Sequence, residues 1–173
     1  MKQLLTFGLI VLFFTACSSN KLDRDTAFKL LKEQKLYPKI IDLEIYTADP
    51  VEAKKIMESG LEKDGYITVK RTQALSEIGS PIVSFTDKAK AYLLPLTEED
   101  RESQIQRVKV ADETLEEVSG VQMLNDGKNA VVEYKTTFKN ITPFAKLVEY
   151  DLGKTNTHKA DFALFDDVWR IEK

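Results

Sequence analysis

The chain carries few side chains with catalytic chemistry. Its 173 residues include one thiol, Cys17, and one imidazole, His158. A side-chain nucleophile needs a base within hydrogen-bond reach, itself oriented by a third group. No such pattern surrounds His158 in "KTNTHKADF", so it reads as a surface histidine in a polar loop or at a strand start. No Gly-rich phosphate loop, no metal-spaced set of His and Cys, and no G-x-S-x-G occurs. No metal and no cofactor is expected, and no enzyme activity. Carboxylates are the remaining catalytic option, as Glu98-Glu99-Asp100, Glu116-Glu117 and Asp166-Asp167. Glycoside hydrolysis needs two carboxyl groups across a cleft, roughly 5 to 9.5 Å apart. Neighbours on a strand point to opposite faces, and Asp166-Asp167 suits a turn. All three groups read as solvated surface.

Cys17 has another chemistry open to it. Residues 4–14 form an apolar run after Met1 and Lys2, and Thr15 and Ala16 precede the cysteine. A positive start, an apolar middle and small residues before a cut site make an export signal. At about 11 residues the run is well short of the roughly 20 that a bilayer-spanning helix needs. "FFTACSSN" resembles the bacterial lipoprotein signal, with Phe14 where that family prefers leucine. The resemblance covers residues 1–17. It implies that residues 1–16 are removed and that Cys17 receives a diacylglyceryl group and becomes the first residue. Each buried methylene of an acyl chain adds about 0.8 kcal/mol of membrane affinity, and several chains hold far better than one. Residues 17–22 then form a short lipidated tether, and the chain is expected at the cell membrane or outer membrane, facing away from the cytoplasm.

Charge narrows the partners. The sequence has 25 basic and 28 acidic side chains, and loss of Lys2 with the signal leaves 24 against 28. Phosphate binding needs clustered Lys and Arg, so no nucleic-acid partner is expected. With Cys17 acylated no thiol remains for disulfides, and the fold must rest on its apolar core.

The elements that would position a site read as α+β. "DRDTAFKLLKEQKLYPK" predicts a helix over 24–35, capped by Asp23 or Asp25 and stopped before Pro38. "KIIDLEIY" alternates Ile41, Leu43 and Ile45 against polar residues, as a half-buried strand does. Asp49 and Pro50 open a second helix that runs to Asp64-Gly65. "YITVKR" and "IVSFT" read as strands, and "DKAKAYLL" as a helix stopped by Pro95. The order of helix, two-stranded ribbon and helix in residues 24–94 resembles a winged-helix module. That helix mixes Glu52, Glu58 and Glu62 with Lys54 and Lys55, so the resemblance implies packing or protein recognition instead of DNA binding.

Residues 96–104 are expected to link this part, 23–95, to a second, 105–173, in which strands dominate. Residues 105–124 read as one long bent strand with Gly120 at a bulge or bend. "NDGK" marks a hairpin turn. In the next strand Ala130, Val132, Tyr134, Thr136 and Phe138 share a face. Thr142 and Pro143 open a short helix, and a final hairpin turns at Asp166-Asp167. The expectation is a curved antiparallel sheet with one short helix against it. Aromatic residues gather in this part, and Tyr134, Phe138 and Trp169 are candidates for a binding face.

"GYITVKR", "FTDKAKAYLL", "NITPFAKL" and "FDDVWRIEK" also resemble a family of exported bacterial lipoproteins of uncharacterised activity. That resemblance implies location alone. The functional expectation is a membrane-anchored, noncatalytic binding or scaffolding module of the cell envelope, whose partner is an envelope protein or a small apolar ligand. The alternatives are a carboxylate-dependent envelope hydrolase and an inhibitor or immunity-type lipoprotein.

Overall fold

A computed structural model describes residues 21–124 and 127–172. The first helix, α1 (Arg24–Glu33), starts where Asp23 accepts a hydrogen bond from the Thr26 amide at 2.7 Å. Ala27 and Leu31, four residues apart, put its apolar stripe against the main sheet, on strands Ile105–Met123 and Val168–Ile171. It ends at Gln34, followed by Lys35 in the left-handed conformation, φ 54°.

Strand β1 (Lys39–Tyr46) follows, and then α2 (Pro50–Ser59), with Asp49 capping the Val51 amide and Gly60 closing the helix at φ 81°. Strands β2 (Ile67–Val69) and β3 (Val83–Phe85) form a two-stranded ribbon. Residues 96–104, expected as a linker, hold the short helix α3 (Glu98–Glu102) in a capping box between Thr97 and Asp100.

The rest is strand. β4 (Ile105–Met123), β5 (Asn129–Lys139), β6 (Asn156–Phe165) and β7 (Val168–Ile171) join β1 in one antiparallel sheet of order β1-β4-β5-β6-β7. The sheet curls into a half-barrel. β4 bends as its sequence suggests, with register shifts against β5 between Leu115 and Glu117 and between Val118 and Gly120. In the β4–β5 turn Gly127 has φ 65°, while Asn125 and Asp126 lie outside the described residues. The last hairpin turns through Asp166 and Asp167, both at positive φ as a two-residue turn requires. The short helix expected at 143 is a single 3-10 turn, Pro143–Leu147, seated on the sheet by the Thr142 hydroxyl, which donates to the Lys109 carbonyl at 2.6 Å.

The α+β class holds, but a winged-helix N-terminal part is not supported. β1 belongs to the main sheet, where it pairs with β4, and α1 packs on that sheet as well. The helix expected over "DKAKAYLL" is a 3-10 turn, Asp87–Tyr92. It stops because Leu93 bridges to Val108 and the Leu94 amide bonds to the Arg107 carbonyl, so the backbone leaves the helix to follow β4.

Two apolar clusters result. One gathers Ile45, Ile56, Leu61, Val83 and Phe144 between α2, the ribbon and one end of the sheet. The other gathers Leu31, Leu115, Val132, Phe162 and Trp169 beneath α1. β4 serves both, through Val108 in the first and Leu115 and Val118 in the second.

Candidate functional site: a polar-floored groove

A groove of about 690 Å³ opens on the sheet. Four strands contribute to it: Ile41 from β1, Glu113 from β4, Phe138 from β5, and Asn156 and His158 from β6. The connection between β5 and β6 supplies Glu149, Tyr150, Asp151 and Lys154. Its volume falls in the range of small-molecule sites, roughly 300 to 1,000 Å³.

The floor is a hydrogen-bonded set. Thr136 on β5 is fully buried and donates to Glu113 Oε1 at 2.6 Å. His158 Nε2 lies 3.1 Å from the same oxygen and 3.0 Å from Thr136 Oγ1. An ionised carboxylate only accepts hydrogen bonds, so Nε2 carries the proton and donates to Glu113. Strand periodicity makes this possible, since Asn156 and His158 are two residues apart on β6 and so share a face. The His158 ring stacks on Tyr134, with centroids 5.3 Å apart, and the Tyr134 hydroxyl lies 3.4 Å from that of Tyr37, between α1 and β1.

Glu113 is 6% exposed. Burial pushes its carboxyl pKa up, but hydrogen bonds from Thr136, Asn156 and His158 outweigh that and hold it below the usual glutamate value. Glu113 is therefore an ionised, oriented acceptor. Burial, aided by the charges of Asp42 and Glu113, raises the Tyr150 hydroxyl. Burial and the Tyr134 contact raise that of Tyr37.

The walls are aromatic. The Phe138 ring sits 6.1 Å from the half-exposed Tyr150 ring, tilted by 43°. Of the three nominated binding residues, Phe138 lines the groove and Tyr134 lies behind it, stacked on His158. Trp169 is 6% exposed in the core beneath α1. Cys17 lies outside the described residues.

The carboxylate pairs nominated from the sequence lie elsewhere. Glu117 pairs with Lys135 and Glu116 accepts from Thr137, both at the surface, while Asp166 and Asp167 make the last turn. Asp100 is buried, where it caps Thr97 and takes the Arg107 guanidinium, which also reaches Asp42 and Glu44. That cluster ties α3 to β4 and β1 and lies outside the groove lining.

Sequence reasoning missed Glu113 and misjudged the setting of His158. One signal was present: Glu113 and Leu115 fall on the same face of a strand, so a charge stands where the pattern asks for an apolar residue.

Among the described residues no group of three or more His, Cys, Asp or Glu side chains could hold a metal ion. Nor is any described helix long and apolar enough to cross a membrane. Comparison with known protein families, with curated proteins and with solved structures finds no match.

Proposed function

We propose that the chain is a noncatalytic binding module of the bacterial cell envelope, held at a membrane by acyl chains on Cys17 and using the groove to take a small ligand. One observation carries the binding half of this reading. Aromatic walls stand over an ionised carboxylate that three neighbours fix on a strand framework. Ligand sites combine apolar lining with a few placed polar groups in this way. Side chains fixed on strands hold their geometry better than side chains on loops. The anchoring half rests on the "FFTACSSN" signal.

Two measurements test it. Mass spectrometry of the mature N-terminus, with membrane fractionation beside a Cys17→Ala variant, should find an acylated cysteine and loss of the variant from membranes. A soluble, unmodified wild-type chain would sink the anchoring claim. Native mass spectrometry of the full chain extracted from membranes should find a bound small molecule that is lost in Phe138→Asp, with folding of the variant checked by circular dichroism. Equal retention by both proteins would remove the groove as the site.

A further inference from the structure

We infer that the groove takes an organic cation: an ammonium or guanidinium group on an apolar body small enough to lie against Phe138 and Tyr150. This rests on the reading of the groove as a ligand site and adds the ligand's charge and shape.

Charge comes first. Glu113, Glu149 and Asp151 line the groove together with the exposed Lys154, so carboxylates outnumber the ammonium three to one. Two of them stand at the rim, where water screens them. Glu113 does not, being nearly buried in the floor, and a charge there acts through a lower effective dielectric. Burial is the main cause of the raised Tyr150 hydroxyl pKa, and the negative charges of Asp42 and Glu113 add to it.

The walls agree with the floor. An aromatic face carries negative quadrupole density and attracts a cation within about 6 Å of its centroid. An anion meets its own sign at both ring faces and at the floor. Phe138 and Ile41 give an apolar body somewhere to lie, so the fit is to an amphipathic cation.

The floor also has acceptor capacity. An ionised carboxylate offers about four lone-pair sites, and Thr136 and His158 both bond to Oε1 of Glu113, with the Asn156 side chain also stabilising the charge. A further donor, such as an ammonium N–H, can be accommodated. A bare metal ion is a poor occupant, because no three ligating side chains come together among the described residues. A quaternary ammonium would rely on the rings and the field alone.

His158 provides the test, since it is the only histidine and its ring protons give isolated NMR signals from the groove. The full chain in detergent micelles is titrated separately with benzylammonium, benzyl alcohol and benzoate. The expected result is a saturable shift of the His158 signals with the cation, weakened by salt and absent with benzoate. Glu113→Gln should weaken cation binding about tenfold. Lys154→Ala should tighten it about threefold, because it removes the opposing charge at an exposed site. That gain cannot come from misfolding, so the Lys154 variant decides the matter even if the Glu113 variant is unstable. Saturable binding of benzyl alcohol as tight as that of the cation, or a preference for benzoate, overturns the cation assignment and leaves the groove as a ligand site. No saturable shift with any of the three overturns both.

Discussion

Glu113 and His158 stand on β4 and β6, which do not pair with each other, yet their side chains meet at 3.1 Å. The intervening strand, β5, makes this possible by placing Thr136 between them. Neighbouring strands lie about 4.8 Å apart, so the two backbones are separated by roughly 10 Å. Thr136 faces Leu115 on one side and Asn156 on the other. Glu113 and His158 are each two residues along from those partners, so the three side chains form a diagonal row. A larger side chain at 136 would stand in the way.

Thr136→Val keeps the volume and removes the hydroxyl. It strips one hydrogen bond from a buried charge, and the expected loss of stability is about 1–3 kcal/mol. Thr136→Ser retains the hydroxyl and should lose less. Urea unfolding of the two variants checks the order, and equal stability of valine and wild type would mean that the hydroxyl contributes nothing.

Acid should weaken the anchor of α3. The Thr97 amide, with Arg107 beside it, lowers the Asp100 pKa from 3.8 to about 2. A carboxyl whose folded pKa is depressed stabilises the fold above its unfolded pKa and stops doing so as pH falls through the folded value. The Asp100 contribution is therefore complete above about pH 5 and fades towards about pH 2. Thermal melts across that range should show Asp100→Asn below wild type at neutral pH and the two converging in acid. A constant gap would assign the loss to packing.

Lys35, after α1, holds φ 54° and caps the helix through a bond from its amide to the Lys32 carbonyl. Left-handed backbone is costly for any residue with a Cβ, and glycine is the usual occupant of this position. Lys35→Gly relieves a penalty of about 1–2 kcal/mol but adds an entropy cost of about 0.5–1 kcal/mol, so stability should rise by about 0.5–1 kcal/mol. The denaturant midpoint should rise with an unchanged slope.

The single tryptophan reports on α1. Trp169 and Leu31 share the core beneath that helix. Leu31→Ala leaves a cavity there and should cost about 2–5 kcal/mol. Tryptophan emission should shift to the red at lower denaturant than in wild type. Unchanged emission and unchanged stability would show that α1 does not dock on the sheet in solution.

Local features of this fold were legible in the sequence because their causes are local. Asp23, one of the two caps expected for α1, caps it, Asp49 and Thr142 cap what they were expected to cap, and Asp166-Asp167 turns the last hairpin. Alternation in β5 identified the buried face, and Gly120 marked a real irregularity in β4. Partnership was not legible. "KIIDLEIY" announces a strand, but nothing in it names β4 as its neighbour. The ribbon and its flanking turns therefore looked like a module of their own. The site escaped for the same reason. Glu113, Thr136 and His158 become a set only when three strands are laid side by side in register, and no spacing along the chain encodes that.

The position of β1 in the sheet has a consequence for the order of assembly. Strands β4, β5 and β6 each pair with the next strand along the chain, whereas β1 must find β4 across the whole of α2, the ribbon and α3. Contacts between distant parts of a chain form slowly, because loop closure costs entropy before any pairing rewards it. The expected order is therefore the four-stranded meander first and β1 last. Ile41 reaches the groove only with β1, so the binding surface is expected to mature in that last step. Substitutions in β1 should then speed unfolding more than they slow folding.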